Sequence, residues 1–342
     1  MANFLGIGKK GDQDKRRWQK ERSKEVRVMK KKVLVFDPEY SETYRQLLER
    51  DIPEAEFLIC DNRDELERYA SETEIAFVER NFPQEVFDRM PKLEWIQILA
   101  AGVEPFVQNA KRFKGIPVSR VVGAFGKYMA EYVFAYLLYF SQNIARVLGA
   151  QAERKWDPFP TEHIHKRTMG IMGLGAVGAF LAQKAKAMGM KVVIWDLVPK
   201  DVSFVDHQYE VEGIHDFLQA ADYVVVTLPA TPQTANVINR EFLRAMKKTA
   251  YLINISRGAL LDEKALVEAL KGNEIAGAVL DVVKEEPLSR DSQLWDCPNL
   301  IISPHISGPS LPEDMVEVCK ENFSRYVKRQ PLLGLVDFER GF

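Results

Sequence analysis

Short apolar runs alternate with polar stretches of helical length along most of the chain. Five of these runs lie between Lys31 and Arg120, and the polar stretch from Ser41 to Arg50 is one of those that separate them. Strands that alternate with helices indicate a parallel sheet, because consecutive parallel strands require a long crossover. The pattern therefore predicts a small α/β lobe with strands at KKVLVF (31–36), AEFLI (55–59), EIAFV (74–78), LEWIQI (93–98) and IPVSR (116–120).

Six further apolar runs follow between residues 168 and 303, again at the spacing of helical crossovers. Six strands connected in this way predict a complete doubly wound sheet. The runs are TMGIMG (168–173), KVVIW (191–195), YVVVTL (223–228), AYLINI (250–255), AGAVLDVV (276–283) and NLIIS (299–303).

A long helix is predicted between the two groups, from Gly126 to Gln151. It is apolar nearly all round between Tyr132 and Phe140. A helix without a polar face has to be covered on all sides, so we expect it to pack between lobes or between subunits. One more helix is predicted from Pro312 to Lys328, in a tail that can return to the first lobe.

A glycine motif opens the second group of strands. Gly173, Gly175 and Gly178 form G-x-G-x-x-G between an apolar run and a helical stretch, which suits a tight turn, close approach to a pyrophosphate and close packing of the helix on the sheet. The free N–H groups of the helix would face the phosphates. Asp196 lies 196 − 178 = 18 residues further on, after KVVIW, where its carboxylate would accept from the ribose hydroxyls and repel a 2′-phosphate. The motif predicts a dinucleotide site that prefers NAD to NADP.

Composition narrows the remaining possibilities. The net charge of −2 gives no overall reason to expect nucleic acid, and no run reaches the roughly 18 apolar residues of a membrane span. The cysteines Cys60, Cys297 and Cys319 form no C-x-x-C pair, which favours a reducing compartment and a cytoplasmic location. His163 and His165 lack a third ligand in the sequence, so we predict no metal site.

Residues 1–32 differ from the rest of the chain. They carry 12 Lys or Arg and 4 Asp or Glu, a net charge of 12 − 4 = +8, and show almost no apolar periodicity. We expect a solvated extension or a helical arm. Targeting to an organelle is the alternative interpretation, and the acids Asp12, Asp14, Glu21 and Glu25 argue against it.

Three of the predicted strands end in residues that can carry chemistry. AYLINI leads to Ser256 and Arg257, AGAVLDVV passes Asp281 and leads to Glu286, and NLIIS leads to His305. Each residue fits a structural role when it is taken singly. The carboxyl ends of parallel strands share one edge, however, and that edge also holds the nucleotide, so together these residues predict an active site.

The residue types suit the reduction of a 2-oxo acid. Arg257 can bind the substrate's carboxylate with two parallel N–H bonds and polarise its carbonyl group. His305 can supply a proton to the developing alkoxide, and Glu286 beside it would hold the ring charged and oriented.

Several sequence blocks resemble the D-isomer-specific 2-hydroxyacid dehydrogenase family, in order and at the family's spacing. They are GLGAVG with WD, LPATPQTANVIN (228–239), INISRGALLDEKAL (253–266), DVVKEEPL (281–288) and SPHISG (303–308). The likeness covers about residues 33–342, and the ending VDFERGF is closest to the glyoxylate and hydroxypyruvate reductase-like branches.

The resemblance implies roles for individual residues. Arg257, Glu286 and His305 would form the catalytic set, Asp281 would lie near the nicotinamide carboxamide, and the block LAAGVEPF would offer backbone N–H groups to the substrate carboxylate. The implied substrate contacts are Ala101, Gly102, Val103 and Arg257. The predicted cofactor contacts are Gly173, Leu174, Gly175, Ala176, Val177, Gly178, Asp196, Leu228, Pro229, Thr231, Ile255, Ser256, Asp281, His305 and Gly308.

These observations predict an α/β protein with two Rossmann- or flavodoxin-like domains, doubly wound parallel sheets and a cleft between them. The expected divisions are a basic extension (1–32), a discontinuous substrate domain (33–125 plus 309–342) and an NAD-binding domain (126–308). The resemblance implies a homodimer formed through the long helix. The predicted function is NAD-dependent reduction of a small 2-oxo acid to the D-2-hydroxy acid, without nucleic-acid or membrane partners. The alternative is an NAD-sensing scaffold with vestigial catalysis, similar to the family's transcriptional corepressor relatives.

Overall fold

A computed structural model describes residues 30–198 and 200–341. The predicted extension at residues 1–32 therefore falls almost entirely outside the described residues. Within them, twelve strands form two parallel sheets. The strands are β1 Lys31–Phe36, β2 Ala55–Cys60, β3 Ile75–Val78, β4 Trp95–Ile98, β5 Val118–Arg120, β6 Thr168–Met172, β7 Lys191–Trp195, β8 His207–Tyr209, β9 Tyr223–Val226, β10 Tyr251–Asn254, β11 Gly277–Leu280 and β12 Leu300–Ile302.

Ten α-helices and five short 3₁₀ helices connect these strands in the described part of the chain. The α-helices are α1 Ser41–Asp51, α2 Arg63–Tyr69, α3 Glu104–Gln108, α4 Gly126–Ser141, α5 Ile144–Ala152, α6 Ala176–Ala187, α7 Ile214–Ala220, α8 Arg240–Ala245, α9 Glu263–Lys271 and α10 Pro312–Val327. The 3₁₀ helices are Ala70–Glu72, Gln84–Arg89, Ala110–Phe113, Val211–Gly213 and Gly258–Leu260.

The first sheet has the strand order β2-β1-β3-β4-β5, and all of its pairs are parallel. Its central strands are apolar without alternation, because helices cover both faces of the sheet. The C-terminal helix α10 covers part of one face: Met315, Cys319 and Phe323 are buried in the same cluster as Val33 and Val35 of β1. The tail thus returns to the first sheet.

The second sheet has the order β12-β11-β10-β9-β6-β7-β8, and it is also parallel throughout. The order in which successive strands are added reverses between β6 and β9, which are parallel neighbours in the sheet. In open α/β sheets a ligand binds in the crevice at such a reversal, outside the carboxyl ends of the strands. The predicted fold class is confirmed, since both sheets are parallel and carry helices.

Two predictions about this region were wrong in detail. The second sheet has a seventh strand, β8, which was missed because its three residues His207–Tyr209 carry no apolar run. The helix predicted from Gly126 to Gln151 is two helices, α4 and α5. Asn143 lies between them with φ 50°, a left-handed conformation that asparagine tolerates and that ends a helix.

Helix α4 is also less enclosed than its composition suggests. It buries one stripe that includes Ala130, Val133 and Leu137, whereas Leu138 is 38% exposed in the single chain. Apolar side chains on α5 are exposed as well, with Val147 at 42% and Leu148 at 57%. The predicted cover on this side is therefore not supplied by the described residues of the chain itself.

Candidate active site

The glycine loop between β6 and α6 shows why two of its three glycines are required for folding. Gly173 has φ 95°, which a residue with a side chain rarely adopts, and its N–H donates to the carbonyl of Trp195 at 2.9 Å. A Cβ on Gly178 would lie 2.2 Å from the carbonyl oxygen of Gly173. A Cβ on Gly175 would meet nothing within 4 Å, so the space in front of this glycine is open.

The start of α6 faces this open space. Gly175 is its N-cap and provides no side-chain acceptor, and the N–H groups of Ala176 and Val177 find no acceptor among the described residues. Asp196, at the end of β7, accepts from the N–H of Leu174 at 2.6 Å and from that of Val198 at 3.0 Å. Unsatisfied donors beside an open glycine face and a fixed carboxylate fit a dinucleotide.

Four other predicted cofactor residues lie in the loops that follow β9 and β10. Leu228 follows β9, and its carbonyl accepts from the hydroxyl of Ser256, which follows β10. Thr231 donates from its N–H to Thr234 Oγ1 at 2.8 Å, and this hydroxyl also donates to the carbonyl of Pro229 at 2.7 Å. These bonds hold the loops after β9 and β10 at the carboxyl edge of the sheet.

Asp281 is a buried carboxylate that organises the loop carrying His305. It is 1% exposed. Oδ1 accepts from the N–H of Ile306 at 2.8 Å and from the hydroxyl of Ser303 at 2.7 Å, and Oδ2 accepts from the N–H of Ser307 at 2.9 Å. The carbonyl of Asp281 accepts from the N–H of His305 at 2.9 Å. These bonds hold His305 at φ 55°, in a left-handed conformation that is uncommon for non-glycine residues.

His305 and Glu286 form a direct pair. His305 Nδ1 lies 2.8 Å from Glu286 Oε2, although 19 residues separate them in the chain. Both side chains are a little over one third exposed, at 37% and 36%, so the pair lies at an accessible surface of the cleft. The second oxygen of Glu286 accepts from the N–H of Val283 at 3.3 Å, which fixes the carboxylate.

Arg257 reaches from the second sheet to the first lobe. Its Nε donates to Glu104 Oε1 at 2.6 Å, and its Nη1 donates to the carbonyl of Ser256 at 2.8 Å. Its Nη2 would lie only 2.5 Å from a Cβ on Gly102, so a side chain at that position would displace the guanidinium. The structure thus brings Arg257 onto the predicted substrate loop.

The predicted substrate loop has backbone N–H donors without acceptors. The N–H groups of Gly102 and Val103 find no acceptor within residues 30–198 and 200–341. Gly102 and Val103 are buried and Ala101 is partly buried, which makes unsatisfied donors costly unless a ligand accepts from them. A carboxylate between these groups and Arg257 would satisfy both.

Sequence reasoning missed two charged residues of the first lobe. Glu104 directly follows the predicted substrate loop, and burial opposes its ionisation, but the charge and hydrogen bond of Arg257 hold its pKa below the usual range. Arg120 ends β5 and donates from Nη1 to the carbonyl of Ala101 at 3.4 Å. Burial, followed by repulsion from Arg257, lowers the pKa of Arg120. The only signal for Glu104 was its place in the block LAAGVEPF, and Arg120 gave none.

A tyrosine of α4 also joins the site. The hydroxyls of Tyr132 and Ser303 lie 2.6 Å apart, and that of Ser303 donates to Asp281. Burial raises the pKa of Tyr132, so this hydroxyl stays protonated. Within the described residues, no group of three or more His, Cys, Asp or Glu side chains is placed to hold a metal ion. No helix among them is long and apolar enough to cross a membrane.

The chain is similar to known proteins of one family. The family model for the NAD binding domain of D-isomer specific 2-hydroxyacid dehydrogenases matches residues 134–307. A glyoxylate/hydroxypyruvate reductase A from Yersinia enterocolitica is 32% identical over 266 residues, which cover 76% of this chain and 85% of the relative. A glyoxylate reductase from Pyrococcus horikoshii is 30% identical over 317 residues, covering 85% and 95%.

Solved structures show the same architecture. A D-isomer specific 2-hydroxyacid dehydrogenase family protein from Aeromonas salmonicida superimposes with a TM-score of 0.85 at 32% identity, covering 90% of this chain and 99% of that one. An NADPH-dependent glyoxylate/hydroxypyruvate reductase from Sinorhizobium meliloti, in complex with NADP and sulfate, gives a TM-score of 0.82 at 27% identity, covering 92% and 100%. The chain therefore belongs to the D-isomer specific 2-hydroxyacid dehydrogenase family and is an oxidoreductase of that class.

Proposed function

We propose that this protein reduces a small 2-oxo acid of the glyoxylate or hydroxypyruvate type to the D-2-hydroxy acid, with NADH as the reductant and His305 as the acid. The contact between His305 and Glu286 carries the proposal, because it joins a proton donor to a carboxylate at the sheet edge where Arg257 crosses to the first lobe.

Substrate binding follows from the unsatisfied donors. The carboxylate of a 2-oxo acid would accept from the N–H groups of Gly102 and Val103, and Arg257 Nη2 lies beside the same loop. A guanidinium in this position also polarises the adjacent carbonyl oxygen, where negative charge develops during reduction.

His305 would protonate that oxygen. Because Nδ1 is bound to Glu286, Nε2 is the ring nitrogen left for the substrate. The Glu286 carboxylate fixes the ring and balances the positive charge of the doubly protonated imidazole, and Asp281 fixes the backbone that carries it. When bound, the reduced nicotinamide supplies the hydride.

The glycine loop, the start of α6 and Asp196 would hold the cofactor. The structures of the relatives from Sinorhizobium meliloti and Xanthobacter autotrophicus contain NADP and NADPH. In this chain backbone N–H groups fix both oxygens of Asp196 at the end of β7, where a carboxylate would repel a 2′-phosphate. We therefore propose NAD as the preferred cofactor. Asp196→Ala should lower the ratio of kcat/KM with NADH to kcat/KM with NADPH at least tenfold. An unchanged ratio would contradict the assignment.

The test of the whole proposal is turnover. Purified protein with NADH and a panel of glyoxylate, hydroxypyruvate, pyruvate and phenylpyruvate should consume the reduced cofactor with at least one substrate. His305→Ala should lower kcat by at least 100-fold, whereas Arg257→Ala should mainly raise KM. His207→Ala is the control, because that histidine lies on β8 and stacks edge-on against Tyr209. Failure of the parent on every substrate would refute the proposed activity.

The exposed apolar side chains of α4 and α5 support a homodimer formed through these helices. Leu138, Val147 and Leu148 would be covered by a second copy. The scaffold alternative has less support, because a vestigial enzyme has no need for the bond between His305 and Glu286. The cytoplasmic location stays a prediction.

A further inference from the structure

The substrate side of the cleft carries an uneven set of charges. Arg257 and Arg120 are two guanidinium groups, and Glu104 is the carboxylate that acts electrostatically on both. Glu104 Oε1 is bound to Arg257, while Glu104 Oε2 is buried without a hydrogen-bond partner. Among the described residues, no acid forms a salt bridge with Arg120, and its Nε is also buried without a partner. The three groups together leave one positive charge unmatched.

A fourth charged residue, Arg80, lies nearby and stands outside this count of three groups. The side chain of Arg80 lies beside Gly102, with its Cδ 2.9 Å from a Cβ built there. Its charge acts on Glu104 and also on Glu79, the acid next to it in the chain. The charge of Arg80 thus acts on both of these acids, and it is the same in every variant compared below.

The position of Arg120 connects it to the substrate loop. Its Nη1 donates to the carbonyl of Ala101, directly before the N–H groups of Gly102 and Val103 that have no acceptor in the described chain. A positive charge behind these donors makes them better partners for an anion. A half-buried cation without a carboxylate is costly in the unliganded protein, and an anionic ligand would offset that cost.

We propose that Arg120 is a positioning residue for the substrate: it supplies the net positive charge of the site, because Glu104 neutralises Arg257, and it holds the Ala101–Val103 loop. The inference rests on the proposed function and narrows its substrate class. One unmatched positive charge fits a 2-oxo monocarboxylate, whereas a dicarboxylate or a phosphorylated acid would leave negative charge uncompensated in the cleft.

The experiment compares the parent with three variants in which the summed charge of these three side chains is changed or restored. Counting Arg257, Arg120 and Glu104, the parent carries +1, Arg120→Gln carries 0, Glu104→Gln carries +2, and the double variant returns to +1. We measure kcat and KM with the best substrate of the panel. We also measure binding of oxamate, a monoanion that resembles a 2-oxo acid, and of oxalate, a dianion of similar size, in the presence of NADH.

Arg120→Gln should raise KM and the Kd of oxamate by at least tenfold, about 1.4 kcal/mol per factor of ten, while kcat changes less than threefold. Glu104→Gln should strengthen the binding of oxalate more than the binding of oxamate. The double variant should recover at least half of the binding free energy for oxamate that Arg120→Gln loses. Arg120→Lys should recover part of it, because the charge is kept. Arg89→Gln is the matched control, since that arginine lies in the same lobe in an exposed pair with Glu67.

The outcomes separate the two proposals. If the parent reduces a 2-oxo acid but Arg120→Gln keeps its KM and oxamate affinity, the role of Arg120 is refuted and the activity stands. If the double variant binds oxamate no more tightly than Arg120→Gln does, the effect of the substitution is structural and does not come from charge. This result would also refute the role of Arg120. If the parent reduces nothing, the proposed activity fails, and the oxamate titrations still decide the role of Arg120.

Discussion

Replacing Asp281 by asparagine tests how the fold constrains His305. The substitution keeps the size of the side chain but exchanges one acceptor oxygen for an NH₂ group. Asp281 accepts three hydrogen bonds, two on Oδ1 and one on Oδ2, and it is buried. Asparagine can keep the two bonds of one oxygen, but its NH₂ group then faces the N–H of Ser307, and two donors oppose each other.

The expected cost follows from these bonds. A hydrogen bond to a charged group contributes about 1.5–3 kcal/mol, and a buried donor left without an acceptor costs about 1–3 kcal/mol. Relief of the carboxylate's own burial offsets part of this loss. We therefore expect Asp281→Asn to lower the free energy of unfolding by about 2–4 kcal/mol. We also expect kcat to fall at least tenfold, because His305 is held at φ 55° by bonds from the same residue.

Urea unfolding followed by circular dichroism gives the stability, and single-turnover reduction gives the rate. The matched control is Asp337→Asn, because Asp337 accepts from two backbone N–H groups, of Glu339 and Arg340, at the exposed surface. It should change stability by less than about 0.5 kcal/mol. A variant at Asp281 with the stability and kcat of the parent would refute the view that this carboxylate holds the catalytic loop.

Three further predictions follow from the structure. Gly178→Ala should prevent stable folding, because its Cβ would lie 2.2 Å from the carbonyl oxygen of Gly173. Gly175→Ala should fold normally and weaken NADH binding at least tenfold in a fluorescence titration. Equal effects of the two variants would contradict the loop geometry. Leu148→Glu should convert a dimer into monomers in sedimentation velocity, and an unchanged association state would place the interface elsewhere. Asn322→Ala should cost about 2–4 kcal/mol of stability in urea unfolding, because this buried amide links α10 to Gln97 of β4 and to the backbone of Leu333; a loss below about 0.5 kcal/mol would show that these bonds are replaced.

The nucleotide-binding half could be predicted closely from the sequence because its signals are local. The glycine loop occupies six residues, and the strands beside it are apolar runs bounded by turns. Strand β8 was missed because it adds an edge to the sheet with polar residues. The break at Asn143 was missed because a left-handed residue between two helices leaves only a weak pattern in the sequence.

The first lobe shows the opposite case. Its backbone was predictable from alternating runs, but its charged residues were not. Glu104 pairs with a residue 153 positions away, and Arg120 donates to the carbonyl of Ala101 and is affected by the charges of Arg257 and Glu104. No periodicity reports such pairings, because they depend on how the two sheets face each other.

The sequence by itself determined the parallel α/β fold, the place of the glycine loop and the identity of the residues at the strand ends, because hydrophobic period and turn chemistry are encoded over a few neighbouring positions. Only the tertiary structure decided that Asp281 holds the backbone that carries His305, and that Arg257 forms a salt bridge with Glu104 of the other lobe. These contacts depend on distances between elements far apart in the chain. Distances of that kind are set by the packing of whole sheets and helices, so they are not recorded in any local stretch of sequence.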